Sequence, residues 1–186
     1  MKSSITSLQE QMSFYAAYHQ DPRNKLSHFV GVPAIIFGLF IALGWLRVEL
    51  GGVTLTAAML LAAVVMVWYF MLDVPLAIAM LVVNGVLIYL ADLVSLEPIK
   101  VGAVWFLVFF GGGWVIQLIG HVFEGRKPAL VDNFFQIFVA PIFLAAEVFF
   151  ALGYKPKLHE AVQKRAIEMR AQAGIRDSVE PGAARG

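Results

Sequence analysis

The chain has 186 residues, 60% of them hydrophobic and 15% charged, with a mean hydropathy of +0.76 and a formal net charge of +1. That balance makes a bilayer the expected solvent, and so small a charge, with no clustered basic patch, excludes a nucleic-acid partner. Cysteine is absent, which excludes disulfides, thiolate metal sites and a cysteine nucleophile, so any metal must be held by nitrogen and oxygen.

The opening segment is polar and lacks the basic-then-apolar layout of a removable signal peptide. A short interfacial helix carrying His19 is expected from about Ser4, ending at a break within the stretch "YHQDPRNKLSH", Tyr18 to His28. There Pro22 suits the first position of a helix and Asp21 its cap, so a new helix runs through Asn24 and His28 into the apolar run Phe29 to Leu46. A second charge-free run, Val53 to Leu72, follows, and both approach the roughly 20 residues that cross about 30 Å of hydrocarbon. Pro75 to Ala91 is parted from it only by "DVP", a turn that makes the two helices an antiparallel hairpin. Val101 to Gly120 is the fourth run, and its "FFGGGW" lets another backbone or a lipid chain approach closely. Phe134 to Leu152 contains Pro141 and Glu147, and reads as a kinked span, a re-entrant hairpin or an interfacial helix. The stretch "KLHEAVQKRAIEMRAQAG" reads as an amphipathic helix, resting on anionic headgroups or solvated. Residues 1–172 form one membrane-embedded domain in this reading, and 173–186 a disordered tail.

Four crossings return His19, His28 and His121 to one face of the membrane. Arg23, Lys25, Arg126 and Lys127 share that face against Arg47 and Lys100 on the other, which makes it cytoplasmic by the positive-inside rule. If the basic residues after Tyr154 are cytoplasmic too, the Pro141 segment does not cross. The expected fold is all-α: a polytopic membrane helix bundle of four transmembrane helices, a Pro-broken re-entrant or interfacial fifth segment, and amphipathic terminal helices.

Asn24 and His28 stand one turn apart on one helix face, and a continuing helix would stack Gln117, His121 and Glu124 together. A single interfacial histidine more often bonds a headgroup or the backbone. Three at one level, beside a carboxylate, point to use, because polar groups at membrane depth are costly. Asp73 and Asp92 read as loop residues or members of a far-side polar cluster, and Glu147 as a partner for an Arg or His. No phosphate loop, dinucleotide fingerprint or serine nucleophile elbow is present. The near absence of ionisable groups within the four clear runs argues against a transporter.

"YHQDPRNKLSHFVGVP" and "IQLIGHVFEGRKPALVDNFFQIFVAPIFLAAE" resemble, in order and spacing, the family of 2-hydroxy fatty acid dioxygenases, while the helices between them fit by length and hydropathy. The resemblance implies a small integral membrane enzyme that uses Fe(II) and O₂ to shorten 2-hydroxy fatty acids by one carbon, a step of α-oxidation. It would sit in a bacterial inner membrane, or the endoplasmic reticulum of a eukaryote, among membrane lipid, with its oligomeric state, homo-oligomers included, left open. By motif, His19, His28 and His121 would hold the metal, Asn24, Glu124 and Arg126 would take catalytic positions, and Asp132 and Asn133 would accompany them. The acyl tail would lie among the helices, with a groove near Gly111 to Gly113 accepting it. Arg126 or Lys127 would pair with the substrate carboxylate or serve only as a positive-inside anchor. Asn24, Gln117, Asp132 or Asn133 would orient a ligand imidazole, unless Asp132 caps the segment that starts at Asn133. The alternative is a metal-free lipid-binding or scaffold protein with the same hydropathy.

Overall fold

Local signals set the first two helices of the computed structural model, which describes residues 7–179. Ser7 caps α1 (Leu8–Ala17) by accepting the Glu10 N–H. After a short bend, Pro22 opens α2 (Pro22–Gly44), and Asp21 Oδ1 accepts the Arg23 N–H at 2.8 Å, as the sequence dictates.

The second apolar run does not begin as a helix, which corrects the all-α expectation. Gly51 and Gly52, at φ +58° and +84°, form the tight turn between β1 (Arg47–Leu50) and β2 (Val53–Thr56). Alternation and β-branching in Val53 to Thr56 favour a strand over a helical turn. The register pairs Val48 with Leu55 and Leu50 with Val53, so one side of this hairpin carries four exposed apolar residues. Helix α3 (Ala57–Leu72) starts only after it, with Thr56 as cap. Then follow α4 (Val74–Ser95) and one long run made of α5 (Ile99–Phe106), a π-helical turn (Leu107–Gly111) and α6 (Gly112–Glu124). The chain closes with α7 (Ala129–Asp132), α8 (Gln136–Ala151) and α9 (Pro156–Val179).

Three helical runs, 22–44, 74–95 and 99–124, are long and apolar enough to cross a membrane, while α3 and α8, at 16 residues each, are shorter. The structure supports a membrane helix bundle with three runs of spanning length among the described residues.

Helices α2 and α6 meet backbone to backbone. A Cβ at Gly31 would lie 2.9 Å from the Gly113 carbonyl oxygen, and one at Gly113 2.9 Å from that of Gly31. Gly38 is equally blocked by the Phe110 backbone nitrogen at 2.6 Å. The pairs Gly31/Gly38 and Gly113/Gly120 therefore set a close antiparallel crossing that carries His28 and His121 at the same end. Gly111 and Gly112 face open space, and none of the three consecutive glycines lines the internal cavity. The cavity therefore does not open on the three glycines, where the acyl groove was expected, and Gly113 is used for helix packing.

Asp73, read as a loop residue, is buried and accepts the Leu76 N–H at the start of α4. It also pairs with Lys155 at 2.5 Å and accepts from the Tyr154 hydroxyl at 3.2 Å, locking the α8–α9 turn to the α3–α4 turn. At the other end of the bundle Arg47 joins Asp92 and Ser95, at 3.2 and 2.6 Å, in a polar cluster.

Helix α8 touches the bundle at the histidine end along its whole length. Gln136 donates to Gln11, the Phe138 carbonyl accepts from Tyr69, Phe143 packs on Tyr15, and Glu147 pairs with Lys25 at 2.9 Å. Pro141 lies within α8 without breaking it. Helix α9 docks on α1 through fully buried Val162 and Ala166, packed with Leu8 and Met12, and does not stand apart as a solvated helix. It continues to Val179, and residues 180–186 of the tail expected over 173–186 lie outside the described residues.

Candidate metal centre

The bend between α1 and α2 and the glycine crossing bring three histidines from distant segments together. His19, His28 and His121 are all buried, and each offers a ring nitrogen within 4.8 Å of the others. Ring centroids stand 4.5 Å apart for His19–His28 and 5.1 Å for each pair with His121, all edge to face.

The backbone fixes two of the tautomers. His19 Nδ1 lies 2.7 Å from the Tyr15 carbonyl oxygen and His28 Nδ1 2.8 Å from that of Asn24, each one helical turn back. A carbonyl only accepts, so both Nδ1 atoms carry the proton and donate it. The two Nε2 atoms then face each other 3.2 Å apart, lone pair to lone pair. Burial, with the His28 ring beside it, holds the His19 imidazole well below its ordinary range, so it is neutral at pH 7. His121 brings a third buried nitrogen, Nδ1, without a hydrogen-bond partner among the described residues. Two facing acceptors beside a third buried imidazole form a nitrogen donor set that could hold a metal ion. Nitrogen ligands at about 2.0–2.1 Å from one ion lie roughly 2.8–3.0 Å apart in octahedral and about 3.3–3.4 Å apart in tetrahedral geometry, and the 3.2 Å separation lies between the two.

Glu124 stands beside the histidines, with both oxygens engaged. Its Oε2 accepts the Gln20 N–H at 3.0 Å, the Asp21 N–H at 2.8 Å and the Asn24 side-chain amide at 3.2 Å, while Oε1 accepts from Arg170. Gly125, at φ +66°, ends α6 in the left-handed conformation immediately after it. Asn24 is fully buried, and its backbone carbonyl, not its side chain, orients the His28 ring.

The other expected residues take different parts. Arg126 is half-buried beyond the end of α6, and neither it nor Lys127 lines the cavity. Lys127 pairs with Asp132 at 2.6 Å, and Asp132 also accepts from the Tyr18 hydroxyl at 2.6 Å, tying α7 to α1 rather than orienting a histidine. Asn133, not Asp132, makes the local turn into α8 by accepting the Phe135 N–H. Gln117 does line the cavity beside His121. Sequence reading missed two neighbours: Tyr15, whose ring stacks on His19 at 4.0 Å, and Arg170, far along the chain. Tyr15 was detectable as the residue one turn before His19 on the same helix face; Arg170 carried no comparable local signal.

From the three histidines a cavity of about 240 Å³ runs into the bundle, walled by α2, α3, α6 and α8. Its wall is almost wholly apolar: Val32, Ile35, Leu39 and Phe40 from α2 face Leu61, Val65 and Ile137, with Asn84 the polar residue at depth. From His28 to Phe40 the lining follows about 18 Å of helix.

A helical membrane protein with a buried triple-histidine centre at the head of a long apolar cavity is the class that fold and site define together. The sequence profile of the 2-hydroxy-palmitic acid dioxygenase Mpo1-like family matches residues 5–152, and the chain belongs to that family. It is 33% identical over 166 residues to the 2-hydroxy-palmitic acid dioxygenase MPO1 of Saccharomyces cerevisiae, an alignment covering 88% of this chain and 91% of that protein. No solved structure matches it.

Proposed function

We propose that the chain is an Fe(II)-dependent dioxygenase that shortens 2-hydroxy fatty acids by one carbon at the membrane interface. The observation that carries this reading is the pair of facing Nε2 lone pairs at 3.2 Å with a third buried imidazole beside them, a donor set that asks for a cation. His19, His28 and His121 would hold the ion through nitrogen alone, leaving coordination positions open. Iron there would supply O₂ binding and activation for cleavage between C1 and C2 of the acid. The family membership supports the substrate class.

The protein's own part is binding and orientation. The apolar cavity takes the acyl chain, which fixes the polar head at the histidine end and keeps bulk water from the reacting carbons. The Tyr15 and Asn24 carbonyls hold the imidazole protons on Nδ1 and so keep Nε2 free to ligate. Glu124 acts by position, fastening the His19–His28 segment to α6. In the membrane α2, α3, α4 and the α5–α6 run cross, and α8 lies at the histidine end as an interfacial or re-entrant element. That end faces the cytoplasm, as Arg23, Lys25, Arg126 and Lys127 favour, in a bacterial inner membrane or the endoplasmic reticulum.

The test is elemental analysis of full-length protein purified in detergent without oxygen and supplied with Fe(II), beside His28→Ala, followed by product analysis with a 2-hydroxy fatty acid and O₂. About one metal per chain, lost in the variant, and an acid one carbon shorter are expected. A wild type that retains no metal would return the protein to a metal-free lipid-binding role.

A further inference from the structure

We infer that the C-terminal helix is part of the metal centre, with Arg170 as a positioning residue that acts through Glu124. The inference rests on the proposed metal centre. It concerns a residue beyond position 152, where the family match ends.

The Glu124 side chain is fully buried, at the C-terminal end of α6, where the helix dipole and the free carbonyls disfavour a negative charge. Its placement therefore needs compensation from elsewhere. Gln20, Asp21 and Asn24 supply three N–H donors, all to Oε2, and all from the segment that joins His19 to His28. One carboxylate thus stitches the helix that carries His121 to the segment that carries the other two histidines. The remaining oxygen, Oε1, accepts from the Arg170 guanidinium, which brings the neutralising charge.

The docking of α9 aims Arg170 there. Val162, Ala166 and Arg170 recur every four residues, so they share one face of α9. The first two are fully buried against α1, and the third reaches past its end to Glu124. Removing the guanidinium leaves Val162, Ala166 and the His159–Phe150 stack to hold the helix. What is lost is the counter-charge, and with it the grip of Glu124 on the two histidine segments.

The experiment titrates metal-free, full-length protein in detergent with Co(II) alone, following the visible bands of the bound ion, for wild type, Arg170→Ala, Arg170→Lys and the control Arg165→Ala. Arg170→Ala is expected to bind cobalt roughly ten- to a hundredfold more weakly with altered bands, as loss of an outer partner of a metal site does. Arg170→Lys is expected to recover part of the affinity, and Arg165→Ala to match wild type in affinity, bands and the thermal melting of the metal-free protein. Wild-type affinity and bands in Arg170→Ala would overturn the inference and leave the metal centre standing. A wild type that binds no cobalt would overturn both. If the alanine variant does not fold, Arg170→Gln, which keeps a donor without the charge, carries the same comparison.

Discussion

Two imidazoles whose Nδ1 protons are both committed to carbonyls cannot hydrogen-bond to each other, and the consequences are measurable residue by residue. His28→Ala and His121→Ala are expected to lose metal and activity while the protein still inserts and folds, read by elemental analysis beside thermal melting. His159→Ala is expected to keep full metal content, because its ring stacks on Phe150 away from the centre. Acidity acts in a fixed direction. Buried His19 titrates below its ordinary value of 6.5, so the unfolded chain binds the proton that the folded one refuses. The stability this contributes is fully present above that value and is lost as pH falls below it. Melting temperatures of the metal-free protein are expected to drop from about pH 7 to about pH 5, and a flat profile would contradict the neutral imidazole. The three histidines were legible in the sequence because their spacing and the order of the apolar runs suggested one level, and the structure does bring them together. The partners that orient them were not, since backbone carbonyls carry no sequence signature.

Among the elements, the α2–α6 crossing tolerates least. Gly113→Ala drives a Cβ against the Gly31 carbonyl oxygen and Ile35, and a cost of about 1–3 kcal/mol is expected, with loss of metal as His121 moves. Gly111→Ala and Gly112→Ala meet open space and are expected to melt within a degree or two of wild type, as surface changes do. The sequence showed three adjacent glycines without showing which one faces a helix. The π-helical turn that ends at the first of them changes the helix phase there, so a plain 3.6-residue count misassigns the face. The Asp21–Pro22 helix start was legible because a cap is a local device. The β-hairpin was missed because its alternating residues sit inside a continuous apolar run, where hydropathy outweighs periodicity.

Over the whole molecule, the helical membrane class was readable from composition, whereas long-range ties were not. Asp73–Lys155 and Glu124–Arg170 join residues 82 and 46 positions apart, and nothing local to either partner announces the other. The short α3 bears on where the protein can reside. Its 16 residues measure about 24 Å against roughly 30 Å of hydrocarbon, and the hairpin ahead of it turns Val48, Leu50, Val53 and Leu55 outward to extend the apolar surface. With α3 crossing as proposed, this geometry would make the molecule sensitive to bilayer thickness. Reconstituted in vesicles of stepwise longer acyl chains, it is expected to hold its metal and melt highest in the thinner bilayers and to weaken as the mismatch grows, a preference that would sort it toward thin membranes within a cell.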